Sequence, residues 1–327
     1  ALNMKVIIDW VANHTGWDHR WTTEHPDWYE KDSATNDFKM ASGMEDIIEL
    51  DFTNPQLRRA MIDAMKFWVT ETGIDGYRAD PAFWVEVDFW QEAKKELDGV
   101  KPLFWLAELD PLEKPEYMEV FDAAYTWTWM HATKDFYAAP NGIQKLDSVL
   151  RQYEAAPGMK AWFTTNHDEN SWNGTEYEKY GSAAKAFAVM NATWKGVPLI
   201  YSGQELPNTK RLEFFEKDAI KWGEKFELEG FYRTLFHLRS VHAALDASVP
   251  VQRLATSADD HILAYSRKKG EKEVVVVLNL SGTDRSFEIN GADVSGRYRN
   301  VFSDATLELT PGKKMQVGAW EYLVLER

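Results

Sequence analysis

Short apolar runs alternate with amphipathic stretches over the first two thirds of the chain, the pattern of a parallel sheet wrapped by helices. The runs predict strands over residues 5–9, 74–78, 102–107, 122–126, 160–164 and 198–201. The clearest helix follows Asn54, a capping residue, and Pro55, which suits the first helical position. Leu57, Met61, Met65 and Trp68 then recur at helical spacing until Gly73 ends it. Further helices are predicted over 87–97, 143–153, 182–194 and 230–244. From 14 to 48 the periodicity fades into a polar, aromatic stretch, WDHRWTTEHPDWYEKDSATNDF, too long for an ordinary connection. It reads as an insertion after the first strand. From 248 onward the runs ILAYSRK, VVVVLNL and EYLVLER are separated by turn residues, Gly270, Gly282 and Asn290-Gly291, which predicts a small antiparallel β domain. The expected organisation is a βα-layered domain over 1–13 and 49–247, an inserted loop domain over 14–48 and a β domain over 248–327.

Composition narrows the function. A net charge of −15 argues against nucleic acid or an anionic membrane as partner and favours a neutral one. There are no cysteines, so disulfides, thiolate catalysis and cysteine-bound zinc are excluded. No apolar run is long enough to span a bilayer, and no charged-then-apolar leader begins the sequence, whose amino terminus reads as cut. Fifteen tryptophans are many for 327 residues. Trp10, Trp17, Trp84, Trp105 and Trp172 lie near strand ends, where flat rings could stack on sugars, although any single Trp is more often a core residue.

Four of the apolar runs stop at a carboxylate: VIIDWVANH at Asp9, GYRAD at Asp80, FWLAE at Glu108 and FTTNHDEN at Asp168. Acids at the carboxyl ends of buried parallel strands face solvent or are held for chemistry. Hydrolysing a glycosidic bond with retention needs a carboxylate nucleophile and a protonated carboxyl group roughly 5 to 5.5 Å apart. Asp80 and Glu108 end consecutive predicted strands and would point to one mouth. Arg78 shares Asp80's face of the strand and would keep that carboxylate ionised. The apolar surroundings of Glu108, with Asp80 beside it, would raise its pKa. His14 and His167 also follow strand runs. Glu169 competes with Asp168, and Asp75 with Asp80, but both fit better as solvent-facing or structural acids.

These residues resemble the α-amylase family of glycoside hydrolases (family 13), and the resemblance covers nearly the whole chain. DWVANH, GYRAD, the Glu108 segment and NHD within FTTNHDEN are similar to its four signatures in order and spacing; IELDFTNP and PLIYSGQE are similar to two more. The resemblance implies a TIM-type (β/α)8 barrel with a short loop domain after strand 3 and a C-terminal antiparallel β-sandwich. Residues 5–9 would be the third barrel strand, so that strands 3–8 are present and two are missing. A six-strand remnant would expose unpaired edges, which favour self-association. By resemblance Asp80 is the nucleophile, Glu108 the general acid and base, and Asp168 the third carboxylate. His14, Arg78 and His167 contact the sugar, and Asp9 is a structural acid. The chemistry needs no cofactor. Asn13 falls where many members place a calcium ligand, but Phe83 and Trp84 stand where many carry a Lys-His pair that serves both calcium and the leaving sugar. The implied activity is retaining hydrolysis of α-1,4 bonds in starch-type glucans and malto-oligosaccharides, in a secreted or cell-envelope setting rather than the cytoplasm. The alternatives are a transglycosidase, a sugar isomerase, a glucosidase acting on α-1,6 or small substrates, and a non-catalytic binding subunit.

Overall fold

The computed structural model describes residues 2–223, 225–290 and 294–327. By its internal contacts the chain falls into two compact units, Ala1–Tyr125 with Ala156–Gly158, and Thr126–Ala155 with Met159–Arg327.

The first unit runs β1 (Ile7–Val11), β2 (His14–Gly16), α1 (Trp21–Glu24), β3 (Ile47–Glu49), α2 (Pro55–Thr72), β4 (Gly76–Asp80), α3 (Val87–Asp98), β5 (Phe104–Ala107) and β6 (Ala123–Tyr125). Strands β1, β4, β5 and β6 lie side by side and parallel. The ladder between β1 and β4 ends two residues later than the apolar runs suggested, pairing Asp9 with Arg78 and Val11 with Asp80. Helix α2 starts as expected, with the Asn54 side chain accepting from Gln56 N at 2.9 Å and Leu57 N at 3.3 Å. It ends at Gly73, whose φ of 69° suits glycine. Its buried row is Leu57, Met61, Met65 and Val69, with Ile62 beside it. Trp68, expected on that face, is 41% exposed. A row of residues four apart reaches Val69, and Trp68 falls a hundred degrees of helix rotation away. The 14–48 insertion carries β2 and β3 as an antiparallel pair, His14 opposite Glu49, and folds Tyr29 against Phe38 with ring centroids 5.0 Å apart.

The second unit runs α4 (Trp127–Ala138), α5 (Gln144–Ala155), β7 (Met159–Trp162), α6 (His167–Trp172), α7 (Glu176–Tyr180), α8 (Ala184–Thr193), β8 (Val197–Pro198) and α9 (Glu229–Val241). The β strands follow as β9 (Gln252–Leu254), β10 (Ile262–Lys269), β11 (Lys272–Asn279), β12 (Arg285–Phe287), β13 (Gly296–Asn300), β14 (Thr306–Leu309), β15 (Met315–Val317) and β16 (Tyr322–Glu326). β7 and β8 pair in parallel, Ala161 with Val197 and Trp162 with Pro198. The expected strand over 198–201 is therefore only a two-residue pairing. Helix α4 escaped the sequence reading because Trp129, Met130, Ala132, Thr133 and Phe136 are all buried, too broad an apolar face for a clean stripe. The antiparallel sheet has the order β14-β13-β16-β11-β10-β9, with β12 and β15 forming a separate ribbon. Gly291 of the expected Asn290-Gly291 turn lies outside the described residues. Every residue of β11 after Lys272 is buried, so the VVVVLNL run is covered on both faces. On one side lie Phe287, Ile289, Tyr298 and Val317. On the other, Trp194 meets Tyr265 with centroids 4.6 Å apart. There the buried Arg267 donates to the carbonyls of Thr193 (3.1 Å), Trp194 (3.2 Å), Leu245 (3.4 Å), Val249 (2.9 Å) and Asp246. Burial pulls its pKa down to about 10.

Candidate active site

In β4 the alternation of side chains sends Tyr77 and Ala79 into the core and Arg78 with Asp80 to the other face. Trp105 of β5 is likewise fully buried in that core and is not a sugar platform. The parallel register sets Asp9 directly beside Arg78. It continues past β5, because Glu108 N donates to Ala79 O at 3.0 Å, which places Glu108 alongside Asp80 on the adjacent strand. Neighbouring strands are ~4.8 Å apart, so the two acids leave the sheet as lateral neighbours.

All three carboxylates meet one guanidinium. Arg78, only 6% exposed, places Nη1 at 2.9 and 3.0 Å from the two oxygens of Asp9 and against Oδ2 of Asp80, and Nη2 at 2.9 Å from Oε2 of Glu108. Burial works against the charge on Arg78, but Tyr125, Glu108, Asp80 and Asp9 outweigh it and hold the pKa above its ordinary value. The sequence reading assigned Arg78 to Asp80 alone; the guanidinium in fact touches both acids, so it does not by itself separate their roles. Tyr125 was missed. Its ring lies 5.9 Å from the guanidinium carbon, and its hydroxyl pKa is raised by burial despite the pull of Arg78. Its signal was present, a polar group at the carboxyl end of the next strand, as with the acids. His14 lies near Asp80. Burial lowers its pKa against the opposing charges of Asp80 and Asp46, and its ring sits 6.0 Å from that of Trp84.

Asn166 caps α6 in the second unit, its side chain accepting from Glu169 N at 2.8 Å. This cap fixes His167 and Asp168 in the first turn, with Nε2 of His167 3.6 Å from Oδ2 of Asp168. Tyr201, also missed, has its pKa raised by burial and then by Asp168. The competing acids are structural. Glu169 is buried against Lys179 Nζ at 3.3 Å. Asp75 accepts from Val6 N at 3.0 Å and pairs with Lys101 at 3.1 Å, which pull its pKa down to about 2. Deeper in this unit Glu176 is 3% exposed. Its Oε1 accepts from Thr164 Oγ1 at 2.6 Å and Gln204 Nε2 at 3.1 Å. Burial outweighs these bonds and raises the pKa to about 7.

The calcium implied at Asn13 does not fit the donors present. Asn13 lines a cavity with Lys39, Ser42, Glu49 and Trp84. The one carboxylate among them, Glu49, is already bound to the Lys39 ammonium at 2.7 Å, and calcium takes about six to eight oxygen ligands. Among the described residues no group of three or more His, Asp or Glu could hold a metal, and no helix is long and apolar enough to cross a membrane.

A parallel βα sheet with acids at its strand ends, joined to an antiparallel β domain, is the architecture of a TIM-barrel enzyme with a C-terminal β domain. The chain belongs to the α-amylase family: it matches the alpha amylase catalytic domain over residues 26–228 and the alpha amylase C-terminal all-beta domain over residues 255–319. It is similar to a noncanonic maltogenic alpha-amylase from Thermotoga neapolitana, with a TM-score of 0.89 and 26% identity over 99% of this chain and 77% of that one. Among curated proteins it is 22% identical to alpha-amylase 2 of Dictyoglomus thermophilum, over 92% of this chain and 56% of that protein. It is 27% identical to alpha-amylase MalA of Haloarcula japonica, over 94% of this chain and 48% of that protein. The chain thus spans about half the length of these curated relatives.

Proposed function

We propose that this protein hydrolyses α-1,4-glucosidic bonds of starch-type glucans and malto-oligosaccharides with retention of configuration. The observation that carries the reading is the convergence of Asp80 and Glu108, neighbours across adjacent strands, on the Arg78 guanidinium. Asp80 attacks the anomeric carbon while Glu108 gives its proton to the departing oxygen. Glu108 then takes a proton from water, whose oxygen displaces Asp80 from the sugar. The roles of Asp168, His14 and His167 as polar contacts to the sugar rest on the family resemblance of their segments alone. Arg78 lies against both carboxylates and orients them, and Glu108 is the one that has to carry a proton when substrate binds. The test is Asp80→Asn, which should abolish starch hydrolysis while leaving the melting temperature within a few degrees of the parent. Near-normal turnover in that variant rejects the assignment.

The names of relatives support a second reading within the same chemistry. They include a maltogenic alpha-amylase and a cyclomaltodextrinase, so a preference for short or cyclic malto-oligosaccharides over long starch is the alternative. Product analysis on starch, pullulan, maltotriose and cyclodextrin separates the two.

A further inference from the structure

The register of the first unit carries one row of side chains across the mouth of its sheet. Val11 of β1 stands beside Asp80 of β4, and Glu108 follows on the next strand because its N–H donates to the Ala79 carbonyl. β5 and β6 pair Leu106 with Ala123 and Ala107 with Ala124, so one step further along Tyr125 stands beside Glu108. Neighbours in such a row leave a sheet on the same face, which puts the phenol with the two acids. Tyr125 is 4% exposed. Its ring lies 5.9 Å from the guanidinium carbon of Arg78, and Arg78 hydrogen-bonds its hydroxyl. Arginine only donates, so the phenol oxygen accepts. Burial raises the phenol pKa against the pull of Arg78, and the group is therefore a neutral hydroxyl at pH 7.

A guanidinium is a rigid planar fork. Here Nη1 meets Asp9 and Asp80, and Nη2 lies 2.9 Å from Glu108. Asp9 comes from β1 and Tyr125 from β6, the strands that flank β4 and β5 on either side. With an acceptor on each flank the fork cannot turn in its plane, and the nitrogen that faces Glu108 stays there.

We propose that Tyr125 is a positioning residue for proton delivery, its hydroxyl acting through Arg78 to hold the Glu108 carboxyl in line with the departing oxygen. The inference rests on the glycosidase reading above and adds a residue that touches neither the substrate nor the reacting atoms. In the step concerned, Asp80 bonds to the anomeric carbon as the bond from that carbon to the glycosidic oxygen breaks, and the Glu108 proton passes to that oxygen. A misplaced proton donor slows this step when a sugar hydroxyl must leave, since it leaves protonated. It scarcely slows the loss of fluoride, which departs as an anion. A misplaced Asp80 would slow both.

The experiment measures kcat/KM, which reports the bond-breaking step, on maltotetraose and on α-maltotriosyl fluoride for the parent, Tyr125→Phe, Tyr125→Leu and Tyr77→Phe. Phe at 125 keeps the ring and removes only the hydroxyl; Leu removes the ring as well and repeats the comparison in a second background. Tyr77→Phe is the control, because it deletes a buried hydroxyl from the core face of the same sheet, where it donates to the Met65 carbonyl. In Tyr125→Phe the value on maltotetraose should fall roughly tenfold while that on the fluoride changes less than about twofold. Tyr125→Leu should shift the ratio of the two at least as far, and Tyr77→Phe should leave it at the parent's value. An unchanged ratio in both Tyr125 variants overturns the proposal, whether the two rates hold or fall together, the second marking a structural role. An equal shift in Tyr77→Phe also overturns it, since any lost hydroxyl would then suffice. A parent that cleaves neither substrate removes the glycosidase reading and the proposal with it, whereas an active parent with an unchanged ratio in the variants removes the proposal alone.

Discussion

Replacing Glu176 by Gln tests whether a buried carboxyl group sets the pH range over which the second unit is stable. Glu176 ionises near 4.5 in an unfolded chain and near 7 where it is buried. Between those values the folded protein holds a proton that the unfolded chain has released. The contribution is fully present below pH 4.5, declines as pH rises and is gone above about 7. At about 1.36 kcal/mol per pH unit, the loss across the window is ~3 kcal/mol. The charged and titratable groups that act on it are Lys179, Tyr177 and Tyr180 of its own helix and Tyr232 from α9. All remain in the variant, so their titrations cancel in the comparison. Gln keeps an acceptor for Thr164 and Gln204 but cannot ionise. Urea unfolding followed by tryptophan fluorescence from pH 4.5 to 8.5 should show the difference in stability between Glu176→Gln and the parent growing by ~3 kcal/mol in favour of the variant. Two parallel curves would mean that Glu176 is charged in the fold at neutral pH, and would refute the reasoning.

Other outcomes follow from the same geometry. Arg78→Ala leaves Asp9, Asp80 and Glu108 crowded without their shared cation, and should cost about 3 to 5 kcal/mol at pH 7 by urea unfolding. Glu169→Gln breaks the buried pair with Lys179 and should destabilise the fold by a similar amount, whereas Asp168→Asn should leave stability nearly unchanged and remove starch hydrolysis. Because Lys39 already occupies Glu49, EDTA should leave the melting temperature unchanged, and a clear drop restored by calcium would contradict the assignment of that cavity.

The sequence was most informative where one residue type has one physical use. Asn54, Pro55 and Gly73 marked the ends of α2, and Asp80 and Glu108 fall at the ends of β4 and β5, whereas Asp9 lies within β1 and Asp168, expected to end a strand, lies in the first turn of α6 well beyond β7. Helix α4 was hidden because its buried positions, Trp129, Met130, Ala132, Thr133 and Phe136, spread over a face too wide to show a clean period, and Trp68 was misplaced because spacings of three and four diverge by the fourth turn. Short strands such as β12 and β15, three residues each, carry too few positions for alternation to register. Arg78 was legible as a neighbour of Asp80 through strand alternation, but its contact with Glu108 depends on register between strands, which local pattern does not encode. Glu176 gave no signal at all, since nothing in TEYEKY separates a buried acid from the solvated ones beside it.

Arg267 draws together carbonyl groups from the end of α8, from Leu245 and Asp246, and from Val249. A cut in the chain near residue 248 would therefore not release a detachable module. The strands beyond it would carry away a cation four of whose five acceptors stayed behind, so separating the pieces would break a buried hydrogen-bond cluster and the apolar packing around it. Shuffling this β region onto another catalytic scaffold would require transplanting the acceptor loop with it.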